Sequence, residues 1–298
     1  SGDGADANFT VTEIESNAAP APAATPLVKA PVPGFFEGTP ARDLPKISAD
    51  GRTPAQVYAR PFTAQAGTPR VSLIMGGLGL NQKHTLSAIN ELPPEVTLSF
   101  VPYANDLQTW INRARAAGHE VLLELPMEAY DYPNVDTGPH TLLTSSKPEE
   151  NLRRLNLLMG KASGYYGVTN YQGAKFATDA RAAEPVLKAL KDRGLTFMHD
   201  GSANRSVLPE TASGAGLSFS VADRIVDAEP SADAIDRELL QIEALASQNG
   251  KAVGVGYAYP VTIEQFRVWT AGLKAKGYQL APASSAAGVL ARSGKPAQ

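Results

Sequence analysis

Two carboxylates bracket the end of one apolar run: in HEVLLELPMEAYDYPN (119–134), Glu124 and Glu128 stand on either side of Pro126. Val121, Leu122 and Leu123 give the run the character of a buried strand, and the proline marks where its ladder stops. Acids at a strand end serve either acid–base chemistry or structure. As chemistry, Glu124 with Glu128 or Asp200 would form an acid and base pair able to act on a glycosidic or ester bond. As structure, Glu124 is a hydrogen-bonded internal acid and Glu128 a solvated loop residue.

Other chemistry-bearing residues sit at similar places. They are Gly76 and Gly77 in MGGLGLN, Tyr171, Gln172 and Lys175 in TNYQGAKFATD, His199, Asp200 and Arg205 in MHDGSANR, and Tyr257 and Tyr259 in VGYAYP. The glycine run lacks GxGxxG spacing and any following Gly-Lys-Ser/Thr, so it reads as a tight turn rather than a phosphate loop. A catalytic zinc needs three ligands such as His and carboxylate. Only Glu124, His199 and Asp200 are candidates, and His199 and Asp200, adjacent on a strand, point to opposite faces. His84, His119 and His140 read as surface or loop histidines. No GxSxG elbow supports a Ser-His-Asp triad.

These residues fall at the ends of short apolar segments that alternate with helical ones from residue 70 onward, the rhythm of a parallel α/β sheet. The candidate strands are 71–75, 96–102, 120–126, 165–170, 195–200, 217–227, 251–257 and 278–282, and seven or eight of them in one rhythm predict a (β/α) barrel. In such a barrel chemistry collects at the C-terminal strand ends. Helices are predicted at 106–117, 149–160, 183–193, 232–248 and 263–276, each with a glycine stop. Ser146 is the expected cap of the second, with Pro148 in its first turn. Trp110 and Trp269 read as packing residues.

The chain has 298 residues, 43% of them hydrophobic, enough for one sizeable core. Its net charge of −3, with no basic cluster, argues against nucleic-acid binding. Cysteine is absent, which excludes disulfides and Cys zinc sites. Residues 1–34, rich in Ala and Pro, read as a flexible linker. Residues 35–69, with Phe35, Phe36, Tyr58 and Phe62, read as an extended arm packed on the domain. The barrel is assigned to 70–292 and a disordered tail to 293–298. A chain that begins at Ser1 is compatible with a signal or anchor upstream of it, and a membrane would be met only through such an anchor.

The succession LIMGGLGL, GHEVLLELPMEAYDYP, GVTNYQGAKFATD, RGLTFMHDGSANRSV and AVGVGYAYPVTI resembles the divergent polysaccharide deacetylase family over about 70–284. The resemblance implies a NodB-type distorted (β/α)7–8 barrel, a periplasmic or cell-envelope setting and, nominally, metal-dependent removal of acyl groups from sugar polymers. This chain departs from the family pattern at the positions that matter. Gly76 and Gly77 stand where the pattern has an Asp pair, and Glu124, Tyr171 and Tyr257 where it has histidines. His199 stands where an aspartate ends the fifth strand.

The reading that follows is a degenerate deacetylase, without zinc or another tightly held divalent metal, that binds an amino-sugar polymer or peptidoglycan-type glycan. Glu124, Asp200 and His199 would carry any remaining catalysis. Gly76, Gly77, Glu128, Tyr171, Lys175, Arg205 and Tyr257 would meet the substrate, with Tyr130 and Tyr132 adding aromatic faces. The alternatives are an active deacetylase or metal-free hydrolase, and an envelope scaffold that meets a protein partner through the 35–62 arm and the 130–144 loop.

Overall fold

The computed structural model describes residues 24–38 and 43–290. Ahead of the barrel, β1 (Phe36–Gly38) and β2 (Asp43–Pro45) form an antiparallel ribbon, followed by the short helix α1 (Pro54–Tyr58). The alternation then runs β3 (Arg70–Leu78), α2 (Gln82–Glu91), β4 (Thr97–Phe100), α3 (Leu107–Ala116), β5 (Val121–Met127), α4 (Pro148–Met159) and β6 (Gly167–Gln172). It continues through α5 (Ala180–Asp192), β7 (Thr196–His199), α6 (Leu208–Ala215), β8 (Ser218–Val221), β9 (Arg224–Ile225), α7 (Ala232–Asn249), β10 (Lys251–Tyr257) and α8 (Pro260–Gly272). Two short strands close the described chain, β11 (Gln279–Leu280) beside the start of β3 and β12 (Gly288–Val289) antiparallel to β8.

Strands β8, β7, β6, β5, β4, β3, β10 and β9 pair in that order, all parallel. The predicted single strand 217–227 is broken in two. β8 pairs with β7 and β9 with β10, and between them the Ala222 N–H donates to His199 O at 2.9 Å and the Asp223 N–H to Val253 O at 2.8 Å. One stretch of chain therefore steps from one neighbour to the other and curls the sheet into a distorted barrel in which β8 and β9 are joined by the chain without pairing, its backbone groups finding partners on both sides. The predicted strand 165–170 is also displaced. Gly167 begins β6, where a Cβ would lie 2.3 Å from Thr196 O, and the ladder runs on until Tyr171 and Gln172 face Pro126 and Met127.

Apolar side chains on alternate strand positions fill two layers. Ile74, Leu122, Met198, Val253 and Val255 pack inside the barrel, whereas Leu73, Leu123, Leu125, Val168 and Phe197 pack outward against helix residues such as Ile111, Leu155, Leu187 and Phe266. Burial on both faces explains why the strands read as nearly unbroken apolar runs. Trp110 and Trp269 belong to the outer layer. At α4 the cap is Lys147 without a side-chain bond, not Ser146; Pro148 needs no donor there, and Glu149 and Glu150 answer the positive helix end.

Residues 24–34, assigned to the linker, lie against the domain: the Leu27 N–H donates to Arg115 O at 2.9 Å, and the buried Arg115 guanidinium donates to Val28 O, Tyr58 O and Gly164 O. A single arginine fixed by three carbonyls, with its guanidinium also over the Tyr58 ring, supplies the anchor that an Ala/Pro sequence lacks. The remainder of the predicted linker and the 293–298 tail lie outside the described residues. His119, read as a surface or loop histidine, lies in the connection before β5 and is fully buried, its ring nitrogens facing Val96 O at 2.7 Å and Ile89 O at 3.1 Å.

Candidate functional site

The glycine pair is a bulge in β3 rather than a tight turn. The register of β3 against β4 shifts between Met75 and Leu78, and Gly77 adopts φ +73°, a conformation that side chains resist. In that conformation its N–H donates to Glu124 Oε2 at 2.8 Å, and the Ser99 hydroxyl donates to the same oxygen at 2.9 Å. Alternation from Leu122 turns Glu124 into the barrel, where it is only 3% exposed. Burial pushes its carboxyl up to about 7, opposed by the two hydrogen bonds and reinforced by the charge of Asp200.

Tyr257 ends β10 directly opposite Gly76. A Cβ on Gly76 would sit 3.4 Å from its ring and 3.6 Å from Glu124 Oε2, so the phenol lies over the glycine and beside the acid. Burial first, then the nearby charges of Asp200, Glu124 and Asp227, raises the Tyr257 phenol and keeps it neutral. Asp227 braces this strand end, accepting the Tyr257 N–H at 2.7 Å and the Thr262 hydroxyl at 2.8 Å.

Asp200 follows β7 with its N–H donated to Asn170 Oδ1 at 2.9 Å, while its own Oδ1 accepts the Ser202 N–H and hydroxyl at 2.9 and 2.6 Å. His199 points the other way. It stacks on Phe197 in the outer layer, with ring centroids 6.5 Å apart, so the strand's alternation removes it from any shared chemistry with Glu124 and Asp200. Burial holds its imidazole below the ordinary value.

A cavity of about 350 Å³ opens at these strand ends, inside the range of about 300–1,000 Å³ usual for ligand sites. Gly77, Tyr103, Glu124, Asp136, Tyr171 and Tyr257 line it. Glu128 does not. It is a clasp rather than a solvated acid, with Oε2 accepting the Thr144 N–H and hydroxyl at 2.8 and 2.7 Å and Oε1 lying 3.3 Å from Lys175 Nζ. Burial alone would raise its carboxyl, but these partners hold it below the ordinary value. Glu128 and Lys175 therefore tie the 130–144 loop to the segment after β6, outside the cavity. Arg205 and Tyr130 are exposed and line no part of it.

Three contributors were missed by the strand-end reading. Tyr103 stands one residue past the predicted strand 96–102 and was within reach of the same rule. Ser99 is visible only as a polar residue within an apolar strand. Asp136 comes from the loop, where the Gly138 N–H donates to its Oδ1 at 2.9 Å and Gly138 packs on the Tyr103 ring so closely that a Cβ would lie 2.5 Å from it. Nothing local in the sequence signals that contact.

The donor set does not fit a catalytic zinc. Among the described residues no three His, Cys, Asp or Glu side chains gather in ligating range. Gly76 brings no donor, Tyr257 is a neutral phenol, and one oxygen of Glu124 is already committed to Gly77 and Ser99.

A sequence profile described as divergent polysaccharide deacetylase matches residues 73–287. The chain belongs to that family. The uncharacterized protein ATU2773 of Agrobacterium tumefaciens C58 has a crystal structure that superposes with a TM-score of 0.80 at 38% identity, covering 82% of this chain and 99% of that one. The uncharacterized protein YibQ of Escherichia coli K12 is 20% identical over 194 residues, which is 65% of this chain and 60% of YibQ. An uncharacterized protein of Haemophilus influenzae is 22% identical over 209 residues, 69% of this chain and 71% of its own length.

Proposed function

We propose that this family member binds cell-envelope glycan without the metal-dependent deacetylase centre, as a regulatory or carrier protein of wall-polysaccharide metabolism. The observation that carries the reading is the Tyr257 ring lying over Gly76 and beside Glu124, where the family resemblance places a histidine, an aspartate and a second histidine. Those replacements remove Lewis acidity and leave aromatic faces and hydrogen-bonding groups around a cavity large enough for a sugar ring. Isothermal titration with amino-sugar oligosaccharides, together with metal analysis and an acetate-release assay, tests it. Saturable binding without acetate release is expected, whereas stoichiometric zinc with acetate release refutes it. The envelope setting is tested separately by fractionating cells that express the full-length protein.

A second reading, metal-free hydrolysis, draws on one specific observation: Glu124 is held near neutrality and feels the charge of Asp200. Such a pair is how differently tuned carboxylates divide acid and base roles. Asp200 is favoured over Glu128 as the partner, because Glu128 lies outside the cavity with its oxygens turned to Thr144 and Lys175. Turnover of a chromogenic glycoside or ester that is abolished by Glu124→Gln would favour this reading; no turnover in the wild type ends it.

A further inference from the structure

We infer that the strand-end cavity is built for the free amine of a de-N-acetylated amino sugar rather than for its N-acetyl form; the inference rests on the glycan-binding reading. Charge is the first support. Glu124 lies at the floor and Asp136 at the rim, and the lining contains no Lys, Arg or His. Lys175, the lysine expected to meet the substrate, is turned to Glu128 at 3.3 Å.

Hydrogen bonding is the second and independent support. Glu124 is 3% exposed, and its Oε2 takes both the Gly77 and the Ser99 donors, while its Oε1 accepts no hydrogen bond among the described residues. Glu124 is more than nine-tenths buried as a residue yet lines the cavity, so the oxygen that the protein leaves without a donor is open to one from a ligand. An ammonium brings three donors and a positive charge, and its bond to a carboxylate is of the strong, charge-assisted kind. Acetylation removes the charge, leaves one N–H and adds a carbonyl oxygen, an acceptor where the ammonium has none.

The aromatic lining agrees. The rings of Tyr103, Tyr171 and Tyr257 surround the same space, and phenol faces attract a cation. Tyr171 is 37% exposed and Glu124 is buried, so the aromatic entrance and the acidic floor are at different depths, as a sugar entering amine first requires.

The test is calorimetric titration of the full chain with the tetramer of glucosamine, the tetramer of N-acetylglucosamine and tetralysine, at near-neutral pH. The glucosamine tetramer is expected to bind at least about tenfold more tightly than the acetylated one, a difference that one charge-assisted contact can supply. Asp136→Asn should reduce that preference and leave the loop intact, since the amide oxygen can still accept the Gly138 N–H; Tyr171→Ala should weaken both sugars. Equal or tighter binding of the acetylated tetramer overturns the amine inference and leaves glycan binding standing. If tetralysine binds as well as the glucosamine tetramer, the preference is surface charge and the inference fails. If neither sugar binds, the glycan reading falls and takes this one with it.

Discussion

Glu120, immediately before β5, and Glu124 within it stand on the same inner side with Leu122 between them, and their surroundings give them opposite roles. Glu120 is saturated: Oε1 accepts the Thr97 hydroxyl and the Ser284 N–H, both at 2.9 Å, and Oε2 accepts the Arg60 N–H at 2.9 Å and the Ser284 hydroxyl at 2.6 Å. Glu124 receives two donors on one oxygen and leaves the other toward the cavity. Burial raises both carboxyls, but only Glu124 keeps an oxygen free to accept a hydrogen bond from a ligand.

Replacement of Glu120 therefore falls on stability. Glu120→Ala strands donors from three chain segments and is expected to cost about 3 kcal/mol or more, since each unmet buried donor costs about 1–3 kcal/mol. Denaturant unfolding measures the loss. Amide exchange should rise at Arg60 and Ser284, and Glu120→Gln, which keeps one acceptor oxygen, should fall between. A neutral Glu120→Ala would mean the bottom of the barrel is closed by other contacts.

Glu124 makes stability depend on pH with a defined sign. Its folded-state value is raised from the ordinary 4.5 to about 7, so the folded state holds the proton more tightly than the unfolded one. Stability from this group is complete below the ordinary value and declines as pH rises through 7, by about 3 kcal/mol in total. The groups facing it are Asp200 from the end of β7 and Tyr257 from β10. Glu124→Gln should match the wild type near pH 4 and exceed its melting temperature by several degrees above pH 7. A carboxyl carbon resonance of Glu124 titrating near 4.5 would show that the acid is not buried as described.

The two glycines should respond differently to one methyl group. Gly77→Ala forces a side chain to φ +73° and is expected to cost about 1–2 kcal/mol. It also disturbs the N–H that Glu124 accepts, so the acid's value should rise further. At Gly76 a Cβ meets neighbours at 3.4 and 3.6 Å, ordinary contact, and Gly76→Ala should stay within about 1 kcal/mol of the wild type. Chemical denaturation of both variants checks the contrast, and equal losses would contradict the bulge.

Arg115 predicts the behaviour of the N-terminal segment. Arg115→Met leaves the carbonyls of Val28, Tyr58 and Gly164 without their shared donor, with an expected loss of about 2–3 kcal/mol. Limited proteolysis should then cut within 24–34 well before the barrel is digested. Unchanged cleavage would show that the Leu27–Arg115 and Val32–Tyr58 hydrogen bonds and apolar contact hold the segment without the guanidinium.

The sequence by itself determined the barrel, because seven or eight apolar segments separated by amphipathic ones permit little other than a parallel sheet with helices outside it. It also located Glu124, Asp200, Tyr171 and Tyr257 at strand ends, since period-two alternation assigns each to a face without knowledge of its neighbours. Alternation likewise put His199 opposite Asp200, and the structure removes His199 from the site on that account. Tertiary structure decided what alternation cannot reach. Whether an acid is saturated or open depends on donors brought by distant segments: Ser284 and Arg60 complete Glu120, Thr144 and Lys175 claim Glu128, and Gly77 and Ser99 fill only half of Glu124. The same reason governs Asp136, which joins the cavity because a loop glycine packs on Tyr103, and residues 24–34, which are held by partners far along the chain at Arg115 and Tyr58. Local sequence records each group's capacity for bonding, and only the fold determines which partners arrive.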